Sequence, residues 1–145
     1  MLTLSNIKLV FSKGTPDEKI ALNNLSLSVN DKDFITVIGA NGAGKSTMFN
    51  AIAGTYLTDE GTITLDGKDI TSMPEHKRAR LIGRLFQDPM KGSAPGMTIE
   101  ENLALAYSRA SKGSNPFARA ITKKKVEFFR ENLARYNTVS YTHLT

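Results

Sequence analysis

Gly39-Ala40-Asn41-Gly42-Ala43-Gly44-Lys45-Ser46-Thr47 fits G-x-x-x-x-G-K-[ST], the pattern of a phosphate-binding loop. Its flanks fit as well. Phe34-Ile35-Thr36-Val37-Ile38 reads as a buried strand running into the loop. Met48-Phe49-Asn50-Ala51-Ile52-Ala53 reads as a helix running out, with Gly54 placed to end it. Strand, glycine loop and helix in that order raise the motif above a match of letters.

Backbone chemistry explains the pattern. Gly39, Gly42 and Gly44 carry no Cβ and allow positive φ, so the loop can curl with its N–H groups turned inward. The first helical turn adds unpaired N–H donors and the positive end of the helix dipole. Such a nest suits a polyphosphate. Lys45 is then expected to reach the β and γ phosphates, and the Ser46 hydroxyl to sit on Mg²⁺. Asn41, Ala43 and Thr47 complete the expected cradle.

Composition bounds the alternatives. The chain has 145 residues, enough for a domain with a real core, and its 40% apolar and 23% charged content is that of a globular protein. No apolar stretch is long enough for a membrane-spanning helix, and Met1 to Asn6 does not read as a secretion signal. With no cysteine, disulfides and thiolate metal sites are excluded. The formal charge is +5, with Lys and Arg concentrated between Arg109 and Arg135. A solvated helix face is the favoured reading of that stretch; a nucleic-acid surface is the alternative.

Along the chain, residues 2–11 alternate as a strand, 12–19 read as a turn, and Leu25 to Val29 keep a period of two. Gly61 to Leu65 reads as a strand with Asp66-Gly67 as its hairpin turn. Pro74 opens a short basic helix through Arg80. Leu81 to Phe86 is a further strand candidate, and residues 88–96 a loop. Thr98, with Glu101 three residues on, forms a capping box for a helix through Tyr107. Ser111 to Pro116 reads as a flexible link. A helix over 117–136 then places Val126, Phe129, Leu133 and Tyr136 on one face.

At this point the chain resembles the N-terminal part of an ATP-binding subunit of an ABC transporter. Four features carry the resemblance: Phe11 after the first strand, the loop in its G-x-N-G-A-G-K-S-T form, the strand pair around Gly61 to Gly67, and Ile82-Gly83-Arg84-Leu85-Phe86-Gln87-Asp88-Pro89 in the style of the family's Q-loop. The resemblance covers residues 1–137. It implies an α/β fold: an incomplete P-loop NTPase core, an N-terminal antiparallel β subdomain and the start of a helical subdomain. The expected boundaries are 1–97 for the ATP-binding core, 98–137 for the helical part and 138–145 for a non-native tail. That tail expectation rests on Val139 to Leu144, whose back-translation resembles a transposon-end sequencing adapter.

The resemblance also implies roles. Phe11 would stack on adenine. Gln87 would meet Mg²⁺ or the attacking water and relay to transmembrane permease subunits. The segment 90–100, with Met90, Pro95 and Met97, would face the permease. A second ATP-binding subunit and an extracytoplasmic substrate-binding protein complete the implied assembly, peripheral on the cytoplasmic face of the membrane. No nucleic-acid partner is expected. The stretches 86–92 and 99–106 resemble a bacterial importer subgroup linked with amino-acid-like solutes.

The family's L-S-G-G-Q signature, its Asp-Glu strand end and its switch histidine do not occur in these 145 residues. Weak nucleotide binding without significant turnover is therefore the expectation for this stretch of chain, with hydrolysis belonging to the complete protein. The rival readings are a non-transport ABC ATPase acting on nucleic acid or ribosome, a non-catalytic nucleotide-binding fragment, and a GTPase or nucleotide kinase. The Asp-x-x-Gly and Asn-Lys-x-Asp strings of a GTPase are absent.

Overall fold

Strand β1 (Leu2–Phe11) lies between β2 (Lys19–Val29) and β3 (Glu60–Leu65), with the short β4 (Lys68–Asp69) beyond β3. All three pairings are antiparallel. The structure, a computed structural model, describes residues 1–110 and 122–134. Two compact units make up the chain, Met1–Ile82 and the residues from Gly83 onward.

The first unit is built on the alternation of β1. Leu4 pairs with Leu27 on one side and Ile63 on the other. The buried residues then switch parity from Leu4 to Ile7 and Leu9. A register shift between Leu4 and Ile7 makes the switch, with Asn6 at φ 52°. That bulge lets both halves of the strand point their apolar side chains to one core. Helix α1 (Lys45–Ala53) adds Met48 and Ala51 to that core, beside Leu22, Ile63 and Ile70. Each fully buried Leu or Ile contributes roughly 1.5–3 kcal/mol relative to exposure.

The hairpin between β3 and β4 turns through Asp66 at φ 50° and Gly67 at φ 76°, the two positive angles that a tight primed turn needs. Asp66 also takes the N-terminal amine of Met1. The basic helix after Pro74 is a single turn, α2 (Glu75–Arg78), and Pro74 sits at its N-cap.

Two expected strands are not formed. Residues 34–38 have no ladder partner among the described residues, and Phe34 and Ile38 are 94% and 90% exposed. Only Val37 of that run packs on the core. Leu81 to Phe86 likewise joins no strand ladder among the described residues, with Leu85 99% exposed. The apolar content of both runs is real, but a strand exists only where a neighbour takes its backbone hydrogen bonds. The four strands described pair among themselves and leave none to these segments.

In the second unit, a 3₁₀ turn over Pro89–Lys91 precedes α3 (Ile99–Ala110). The capping box forms: Thr98 N–H donates to Glu101 Oε2 at 2.8 Å, and Glu101 N–H to Thr98 Oγ1 at 3.2 Å. Helix α4 (Lys123–Ala134) buries Phe129 and half-buries Val126 and Leu133, the face expected. Tyr107 of α3 meets the Phe129 ring edge-on at 5.8 Å. The expected link 111–116, the outer ends of the 117–136 helix and the tail 138–145 lie outside the described residues.

Candidate functional site

The glycine loop closes on itself. Ala43 N–H donates to the Ala40 carbonyl at 3.2 Å, making a turn whose exit uses Gly42 at φ 82° and Gly44 at φ 86°. Gly44 is the N-cap of α1, so no side chain caps the first-turn N–H groups, and no acidic residue stands in that turn. This is a helix N-terminus left open for an anion.

Gly44 is required for a second reason. A Cβ there would stand 2.8 Å from the carbonyl oxygen of Ala21 and 3.3 Å from Leu22 Cδ2. The loop therefore rests directly on the backbone of β2. Gly39 departs from the expectation of a left-handed glycine, since its φ is not in that region. What it supplies is space, because a Cβ there would lie 3.3 Å from Ala43 Cβ.

The Lys45 side chain folds back over the loop. Its Nζ donates to the carbonyl oxygens of Gly39 at 2.6 Å and Ala40 at 2.7 Å. The two carbonyls fix the ammonium at the loop rim and leave it a third N–H. Ser46 is exposed in the first turn of α1, and Thr47 is half-buried beside it. Asn41, Gly42 and Ala43 are exposed on the curl. Open N–H groups, one fixed cation and a hydroxyl together fit a polyphosphate with its Mg²⁺. Among the described residues no cluster of His, Asp and Glu could hold a metal ion by itself.

Phe11 closes β1, packs partly on the core and meets the ring of Tyr56 edge-on at 5.2 Å and 79°. Gln87 belongs to the second unit, where it is exposed just ahead of the 3₁₀ turn. Met90 and Met97, in the same unit, are 60% and 49% exposed. Arg130 of the basic C-terminal stretch is paired with Glu100 at 3.1 Å, and Lys125 lies over the Tyr107 ring. Part of that charge is thus spent inside the unit.

Three residues escape sequence reasoning. Tyr56 buttresses Phe11. Asn102 holds the approach to α3, accepting from Ala94 N–H and donating to the Ala94, Met97 and Thr98 carbonyls. Arg78 is buried completely at the far end of α1. Burial pushes its guanidinium pKa down, and Asp69 opposes that shift. Nothing local separates Arg78 from its neighbours Lys77 and Arg80 in the sequence. The Asp69 carboxyl is itself held below its usual range by hydrogen bonds from the Thr71 hydroxyl and N–H.

Residues 22–144 match the family model described as ABC transporter. The chain belongs to the ABC transporter family. It is 40% identical over 109 residues to the tyrosine transport ATP-binding protein of Clostridioides difficile, covering 75% of this chain and 43% of that protein. It is 36% identical over 104 residues to a spermidine/putrescine import ATP-binding protein of Protochlamydia amoebophila, covering 72% and 27%. The fold is that of ABC cassettes. A dimeric bacterial ABC transporter cassette superposes with a TM-score of 0.76 at 23% identity, covering 96% of this chain and 58% of that one. A nucleotide-free cassette superposes at 0.72 with 28% identity, covering 100% and 59%. This ABC chain thus spans less than half the length of the curated relatives it matches.

Proposed function

We propose that this chain is the nucleotide-binding part of the energy-coupling, ATP-binding subunit of an ABC importer. One observation carries the reading: the Lys45 ammonium is fixed by its own loop carbonyls at the open N-terminus of α1. In this reading the loop N–H groups and Lys45 hold the phosphates of ATP. Ser46 supplies a hydroxyl to Mg²⁺, and Phe11 offers a ring face to adenine. Mg²⁺ supplies charge neutralisation between the phosphates. Gln87 contacts the metal or the water and relays to the permease through the exposed segment around Met90 and Met97. Hydrolysis, a second ATP-binding subunit and a place on the cytoplasmic face belong to the complete protein. Relatives named for tyrosine and branched-chain amino acid transport support an amino-acid-like solute.

Calorimetric titration of the chain with MgATP and with Mg-tripolyphosphate tests the cradle. Both are expected to bind wild type, and both to weaken in Lys45→Ala. Equal affinity for wild type and variant overturns the assignment of Lys45.

A further inference from the structure

The Arg78 guanidinium is 0% exposed and donates to four backbone carbonyls. Nε reaches Met73 O at 2.7 Å, one terminal nitrogen reaches Ala51 O at 2.7 Å and Ile52 O at 3.0 Å, and the other reaches Thr71 O at 2.7 Å. Ala51 and Ile52 are in the last turn of α1, the helix whose first residue is Lys45. That last turn contains no basic residue of its own. Arg78 therefore delivers, from α2, the cation that a helix C-terminus favours.

Gly54 admits it. A Cβ at Gly54 would stand 2.8 Å from Arg78 Nε and 3.1 Å from Met73 O, at a φ of +83°. The other carbonyls tie Arg78 to the sheet. Ile70 N–H donates to Ile63 O at 2.9 Å, and Ile63 N–H donates to the Thr71 hydroxyl at 2.8 Å. A continuous path runs from buried Ile63 through residues 70–73 and Arg78 to the end of α1. The helix has nine residues and fully buries only Met48 and Ala51, with Ile52 packed partly on the core, so the bonds from Arg78 are a large part of what fixes its C-terminal end. A short helix moves as one body, and a displacement at one end is carried to the other.

We infer that Arg78 is a positioning residue for the phosphate loop, holding α1 by its C-terminal carbonyls so that Lys45 and the open N–H groups stay aligned. The inference rests on the nucleotide-binding reading for its ligand but not for its mechanics. A lysine has three donors on a compact head and cannot span four carbonyls; glutamine has two donors and no charge.

The test compares wild type, Arg78→Lys, Arg78→Gln and a core control off that path, Ile7→Val, in the full chain, each kept well below its melting temperature. Amide hydrogen exchange is read without nucleotide, and affinity for Mg-tripolyphosphate by calorimetry. Arg78→Gln is expected to speed exchange at the hydrogen-bonded amides of Ala43 and Met48 by about tenfold or more, beyond the local effect at Ala51 and Ile52. It should also weaken tripolyphosphate by about tenfold, as a misaligned site does. Arg78→Lys should fall between, and serves alone if the glutamine variant does not fold. Ile7→Val should lower melting temperature and leave affinity within about twofold. Faster exchange confined to 51–54, with tripolyphosphate affinity unchanged, overturns the inference. If wild type binds no polyphosphate, the proposed function fails, and exchange at Ala43 and Met48 still decides the role of Arg78.

Discussion

Lys45 Nζ stands 2.6 Å from the carbonyl oxygen of Gly39, six residues back along the chain. The bond makes the loop a closed ring with a cation on its rim. A charge-assisted hydrogen bond of this kind is worth about 1.5–3 kcal/mol, and the same ammonium has a donor to spare for phosphate. Lys45→Ala is expected to lower MgATP affinity by about 10- to 100-fold. Its far-ultraviolet circular dichroism should stay close to wild type and its melting temperature should fall by some degrees without loss of the fold, because the two lost bonds lie at the exposed rim and outside the core. Calorimetry and a melting curve on one preparation check both halves.

Gly44→Ala is the sharper backbone test. The new Cβ meets the Ala21 carbonyl oxygen at 2.8 Å, and the residue must keep φ near 86° or give up the N-cap. Left-handed strain in a non-glycine residue costs about 1–3 kcal/mol. The variant should melt lower than wild type and bind polyphosphate more weakly than Lys45→Ala does, since the N–H groups themselves turn away. Gly42→Ala has open space around its Cβ and should cost less. Equal losses at the two glycines would remove the contact with β2 from the explanation.

The phosphate loop, the Asp66-Gly67 turn and the Thr98–Glu101 capping box were legible because each is local chemistry, closed within a few residues. Phe34 to Ile38 was not, because strand formation belongs to a pair and its partner is not among the described strands. The Asn6 bulge was hidden for a related reason: the parity change from Leu4 to Ile7 reads in sequence as an imperfect alternation. Arg78 was hidden by distance, since its acceptors Ala51 and Ile52 lie on another helix. Gly54 was read as a helix stop, and its second task, admitting a guanidinium, leaves no mark in one sequence.

A Phe11 variant can distinguish recognition of the base from recognition of the phosphates. Under the proposed stacking role, Phe11→Ala should cost MgATP about 1–3 kcal/mol and leave Mg-tripolyphosphate unchanged. Tyr56→Leu should cost a fraction of that, through loss of the edge-on contact that holds the Phe11 ring. Titration of both ligands into both variants reads the difference. Equal weakening of ATP and tripolyphosphate would assign Phe11 to the core and not to the base.

Asp69 predicts a pH dependence. Its carboxyl accepts from the Thr71 hydroxyl at 2.6 Å and the Thr71 N–H at 2.8 Å, which lowers its pKa from 3.8. A depressed folded pKa stabilises the fold above the unfolded value and is lost as pH falls through the folded one. The melting-temperature gap between wild type and Asp69→Ala should thus be constant above about pH 5 and narrow steadily below about pH 4. Thermal melts at a series of pH values check the window. A gap that stays flat through the acid range would mean the carboxylate charge contributes nothing there.

Asn102 shows how a loop without regular structure is held. Its amide accepts from Ala94 N–H at 2.8 Å and donates to Ala94 O at 3.0 Å, Met97 O at 3.2 Å and Thr98 O at 3.0 Å. One side chain thereby fixes residues 94–98, whose Met97 is exposed. Asn102→Ala removes every one of these bonds, while Asn102→Asp keeps the acceptor and loses the donors. Alanine should speed amide exchange at Ala94 and through residues 96–98, and aspartate should protect Ala94 alone. The sheet amides of β1 and β3 should not change in either variant, because local opening need not involve the whole fold. Residue-resolved exchange by nuclear magnetic resonance separates these outcomes, and unchanged exchange at 94–98 in both variants would show that the loop is held by something other than the Asn102 amide.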